Sequence, residues 1–82
     1  MNDLESKMND LEFGTIKIHL AEIMDERNIS INKLSFRAEM QRTQLKKYCK
    51  NEVQRLDIAV LSRLCYALKC DLHDLIEYIP PK

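Results

Sequence analysis

Arg42, Thr43, Lys46, Lys47 and Lys50 recur at helical spacing within the segment QRTQLKKYCK. On a helix, that spacing gathers the five side chains on one face. The chemistry such a face can do is recognition, not bond making. An arginine guanidinium forks onto the O6 and N7 of guanine, a lysine reaches the same edge, and threonine can touch the methyl of thymine. Further lysines neutralise phosphates. A cationic run is more often a plain solvated helical face, and that alternative stays open on spacing alone. No other group of residues offers comparable chemistry. No nucleophile has a base at a recognisable spacing, so no enzymatic activity is expected. The single glycine, Gly14, excludes a glycine-rich phosphate loop. Cys49, Cys65, Cys70 and His73 could in principle gather on zinc, but they lack the paired short gaps of structural zinc sites. Buried cysteine otherwise serves as a small hydrophobe. We therefore expect no metal, cofactor or small-molecule ligand, with His19 and His73 as surface residues and Tyr66 and Tyr78 at half-buried core edges.

The elements that must position the cationic face follow from the apolar pattern. Residues Ile31 to Lys50 read as two short helices around a tight turn. Leu34, Ala38, Met40, Leu45 and Tyr48 are spaced to pack these helices together, leaving the cations outside. One long helix is excluded, because Leu45, Tyr48 and Cys49 share no 3.6-residue stripe with Leu34 and Ala38 unless the chain turns. This is the layout of a helix-turn-helix, whose second helix enters the major groove of DNA. Upstream, Thr15 is the expected cap of a first helix carrying Ile16, Leu20, Ile23 and Met24 on one stripe to about Arg27. Asn28 suits the position past its end, and Ser30 caps the second helix. Downstream, Asn51 suits the turn after the third helix. Asp57 caps a fourth helix with Ile58, Leu61, Leu64, Cys65 and Leu68 on one face. Asp71 caps a fifth, to which Leu72, Leu75, Ile76 and Ile79 give apolar contacts before Pro80 and Pro81 end it. Strand signals are absent on this reading, so the expectation is an all-α domain of five helices.

Length and charge set the frame. A chain of 82 residues makes one domain with a modest core. The formal net charge is zero, yet it is segregated. From Gln41 to Arg55, five cations face Glu52 alone, a local balance of +4; from Met1 to Glu12 one lysine faces four carboxylates, a balance of −3. Residues 1–13 read as an acidic arm and 14–82 as the folded domain. MNDLE occurs at Met1 and again at Met8, which puts Met1, Leu4, Met8 and Leu11 on a heptad stripe. Two copies are too few for a coiled coil, so the arm is read as frayed or as packing on a partner subunit. No targeting segment and no apolar run of membrane-spanning length is visible. Three cysteines, an odd number, set in apolar helical patterns suit a reducing cytoplasm and buried thiols rather than disulfides.

Residues from Ile16 to Tyr78 resemble the Cro and phage-repressor (XRE-type) class of helix-turn-helix regulators. The matching runs are LSFRAEMQRTQL, KYCKN, RLDIAVLSRLCYAL and KCDLHDLIEY. The resemblance implies a sequence-specific transcriptional regulator that binds a double-stranded DNA operator, most simply as a homodimer. It implies base reading by Arg42, Thr43, Lys46 and Lys47, and DNA-backbone contact by Gln41, Lys50 and Arg55. The same fold can also serve as a protein-interaction module, such as an antitoxin or antirepressor. The sequence departs from the family at the turn, where Glu39 replaces the usual glycine, so that either Glu39 takes a left-handed conformation at some cost or the turn relaxes. It departs again where many members pair an arginine on helix 1 with a glutamate at the end of helix 3. Those positions are Met24 and Cys49, which are predicted to be buried together in contact.

Overall fold

β-Branched and aromatic residues decide both ends of the fold. In the computed structural model, which describes residues 12–82, Thr15–Ile18 forms strand β1 and Ile76–Ile79 forms strand β2. They pair antiparallel with Thr15 opposite Ile79, Ile16 opposite Tyr78, Lys17 opposite Glu77 and Ile18 opposite Ile76. Between them lie α1 (Leu20–Glu26), α2 (Ile31–Ala38), α3 (Arg42–Cys49), α4 (Ile58–Leu68) and α5 (Leu72–Leu75). The heptad reading of the arm lies outside the described residues.

Among the described residues the five expected helices stand, but the all-α expectation is corrected by this two-stranded ribbon. TIKI and IEYI carry branched and aromatic side chains that favour a pleated backbone. The cap of α1 is His19, not Thr15, and α5 stops at Leu75, where the chain passes directly into β2. Gly14 precedes β1 at φ +86°, and a Cβ there would stand 2.5 Å from the Ile79 carbonyl oxygen. The close approach of β2 therefore requires glycine. Beside it the Tyr78 hydroxyl donates to the Phe13 carbonyl at 2.8 Å.

The core forms where the helical stripes converge. Leu20, Leu34, Leu45, Leu64, Leu68 and Leu75 are its fully buried large side chains. Ser30 and Asp57 cap as expected: Ser30 Oγ accepts from Lys33 N at 3.1 Å, and Asp57 Oδ1 accepts from Ala59 N at 2.8 Å. In α5, Asp74 Oδ2 accepts from Asp71 N at 3.0 Å. On α4 the buried positions are Val60, Leu64, Ala67 and Leu68, flanked by partly buried Leu61 and Cys65. Ile58 and Tyr66, expected in or beside the core, are instead 81% and 84% exposed. Ile58 opens the helix and Tyr66 falls on its outer side, so neither enters the core.

Met24 and Cys49 do meet. Met24 is buried, Cys49 is partly buried, and their sulfurs lie 3.8 Å apart. Burial, aided by the negative charge of Glu22, raises the Cys49 thiol above its ordinary value. An apolar pair can replace a buried ion pair without loss when its volume suits the site. Met24→Arg alone should therefore cost about 2–3 kcal/mol in denaturant unfolding, and adding Cys49→Glu should recover most of that loss.

His19 joins both ends of the fold. Its backbone N–H donates to the Leu75 carbonyl at 2.7 Å. Its ring bridges Glu22 Oε2 at 2.8 Å through Nδ1 and Glu77 Oε1 at 2.6 Å through Nε2. The Glu77 hydrogen bond, followed by that of Glu22, raises the His19 pKa above 6.5. The protonated ring's contribution to stability is thus complete below about pH 6.5, while both carboxylates stay charged, and fades as pH rises through the folded-state value. Thermal unfolding followed across neutral pH should show His19→Asn a few degrees less stable on the acid side and equal to the parent on the alkaline side. Added salt should shrink the gap.

Candidate nucleic-acid interface

The site is built on the α2–α3 corner. Leu34 and Ala38 on α2 and Leu45 and Tyr48 on α3 bury one side of each helix, with Met40 buried between them. Between the helices Glu39 adopts φ 53° and ψ 49°, so the turn keeps its left-handed conformation without glycine and does not relax. Ser35 closes this turn on itself. Its carbonyl accepts from the backbone N–H of both Glu39 and Met40, and its hydroxyl donates to the Met40 carbonyl. Arg63 on α4 reaches the Glu39 carbonyl with Nη1 at 3.3 Å.

With Leu45 and Tyr48 inside, Arg42, Thr43, Lys46, Lys47 and Lys50 are all exposed. The five residues selected by spacing do share one solvent-facing surface, with exposed Gln44 beside them. Gln41 holds the cap position of α3, yet its side chain makes no capping hydrogen bond. Arg55 is exposed in the segment between α3 and α4, which Val53 anchors against the core. No histidine or acidic side chain shares a hydrogen bond with these cations among the described residues.

Three supporting contacts escaped sequence reasoning. Asn32 Oδ1 accepts from Arg42 Nη1 at 3.0 Å, which steadies the guanidinium from α2. Asn51, left-handed at φ 58°, clamps β1. Its Oδ1 accepts from Ile18 N at 2.6 Å, and its Nδ2 donates to the Ile18 carbonyl at 3.0 Å. The end of α3 is thereby tied to the ribbon. Arg63 at the turn is the third. Asparagine in a post-helix position signalled the turn at Asn51, but nothing local marks its distant partner. Phe36, on α2 beside the same corner, is 86% exposed and lines a shallow concavity with Glu39, Gln41 and Arg42.

The zinc alternative does not assemble. Among the described residues, the His, Cys and acidic side chains close enough to share an ion are Asp71, His73 and Asp74, all exposed, and no cysteine joins them. No helix among the described residues is long and apolar enough to cross a membrane.

A recognition helix held against its partner by a tight left-handed turn, with cations outward, defines a helix-turn-helix DNA-binding domain. The family model of the Cro/C1-type HTH DNA-binding domain matches residues 19–81, and the chain belongs to this family. No curated protein matches the chain.

The turn yields a direct test. Glycine removes the side-chain penalty of the left-handed conformation. Glu39→Gly should leave stability unchanged or raise it by up to about 1 kcal/mol in thermal or denaturant unfolding. It should also strengthen non-specific DNA binding, because a negative charge is lost beside the cationic face.

Proposed function

We propose that the protein is a sequence-specific transcriptional regulator that reads the major groove of double-stranded DNA with α3. The observation that carries this reading is the cationic face of α3, exposed along its length and opposed by buried Leu45 and Tyr48. In this reading Arg42, Thr43, Lys46 and Lys47 contact base edges. Arg42 forks onto guanine while Asn32 holds it in place. Lys50 and Arg55 contact phosphates, and Gln41 touches the backbone at the start of the helix, where free N–H groups also favour phosphate. Two copies bound to a palindrome would double the phosphate contacts, so the acting unit is a homodimer in the cytoplasm with recognition helices about 34 Å apart. Regulation then follows from occupancy of the operator.

A second reading has its own support. Exposed Phe36 and Tyr66, with Arg37 and Lys69 nearby, offer a surface for a protein partner, and Glu39 weakens the electrostatic case for DNA. An antitoxin or antirepressor could use that surface.

Binding to the DNA flanking its own gene, measured at two salt concentrations, separates the two. A DNA reader loses affinity steeply with salt and prefers its own site by a large ratio. Arg42→Ala should cost about 1–3 kcal/mol at the operator and relax preference at one base pair. Lys50→Ala should weaken all sequences alike and lower the salt slope by about one. Unchanged operator binding in both variants would remove α3 from the interface.

A further inference from the structure

Three cysteines are present, and two of them share a helix end. α4 closes with Lys69 in the left-handed conformation at φ 53°. The N–H of Lys69 donates to the Tyr66 carbonyl at 3.3 Å, and the N–H of Cys70 donates to the Cys65 carbonyl at 3.1 Å. This is the paired closure of a Schellman motif, in which the residue past the left-handed position packs its side chain on the residue that accepts its N–H. Here the pair so placed is Cys65 and Cys70, and the Cys65 thiol interacts with that of Cys70. Both are partly buried and both pack against the core. The cap is also held from outside, because Arg27 at the end of α1 donates to the Leu68 and Lys69 carbonyls.

A disulfide requires Cα atoms about 4.4–6.8 Å apart, and the 3.1 Å hydrogen bond from the Cys70 N–H to the Cys65 carbonyl draws the two backbones together across the turn. We propose that Cys65 and Cys70 form a dithiol modification site, which small soluble disulfides convert reversibly to an intrachain disulfide across the α4 cap. Cys65 lines a surface groove with Arg37, Tyr66, Ala67 and Lys69, and a small reagent entering that groove meets this residue. The Cys65 thiolate attacks one sulfur of the reagent and releases the other half as a thiol. The Cys70 thiolate then attacks the Cys65 sulfur, forming the Cys65–Cys70 bond and releasing the second half. Two electrons pass from the protein to the reagent, and the two thiol protons end on the released thiols. Burial, with the adjacent Cys65 thiol adding to it, raises Cys70 above the ordinary cysteine value, and Arg27 draws it partly back. Closure therefore quickens as pH rises. The Cys49 sulfur packs instead on that of Met24, at 3.8 Å.

The test treats the full chain with oxidised glutathione at about pH 8.5, then alkylates the remaining thiols and weighs the intact protein. The expected product has lost about 2 Da, keeps no glutathione and carries one alkyl group, on Cys49. Trypsin should then release peptides 64–69 and 70–82 joined through sulfur, because the chain is cut after Lys69 between the two cysteines. Dithiothreitol should restore three alkylated thiols. Cys49→Ser should still lose about 2 Da, whereas folded Cys70→Ser should retain an adduct of about 305 Da on Cys65. The peptide linkage is read in the parent protein, so a variant that fails to fold leaves the test intact. Three free thiols, retained glutathione in the parent, or a bond that includes Cys49 would each overturn the proposal.

Discussion

The left-handed turn at Glu39 is the constraint on which the recognition surface depends. It fixes how α3 leaves α2, and so which side of α3 meets Leu34 and Ala38 and which side is free. The chain sustains this turn without glycine by closing it from three directions: the Ser35 carbonyl, the Ser35 hydroxyl and the Arg63 guanidinium. The same solution recurs. Asn28, Asn51 and Lys69 also take positive φ after helices, and each of these helices closes by hydrogen bonds back onto its last turn. A fold with one glycine thus ends four helices in a conformation that favours glycine. Asparagine tolerates it through its short polar side chain, while glutamate and lysine rely on the surrounding hydrogen bonds.

What could be read from the sequence was what local periodicity encodes. Leu34, Ala38, Met40, Leu45 and Tyr48 could be assigned to the inside because two short stripes with a break between them admit one arrangement, and all five are buried. The caps at Ser30 and Asp57 were legible for the same reason, since a capping side chain acts within a few residues. The cationic face followed as the complement of the buried one. The Met24–Cys49 contact was reached through the family pattern, which periodicity could not have supplied.

The ribbon was illegible because its apolar residues satisfy two periods at once. Ile16 stands four residues before Leu20 and seven before Ile23, which suits a helix as well as the alternation TIKI suits a strand. The decision came from a partner about sixty residues away, IEYI, which no local window contains. Distance in sequence also hid the Asn51 clamp on Ile18 and the His19 bridge to Glu77. Asn32 lay close to Arg42, but which of the exposed α2 side chains would reach it depends on the angle between the helices.

The pairing of Thr15 with Ile79 sets the two margins of the domain side by side. A short linker could join them, and new termini could be opened in the exposed segment between α3 and α4 without cutting a helix. Topologically the domain is nearly a ring, closed by backbone hydrogen bonds rather than by a peptide bond. Anything grafted at either margin would leave from one common point on the surface. The domain can therefore be inserted into a loop of another protein and span little more than the width of its own ribbon.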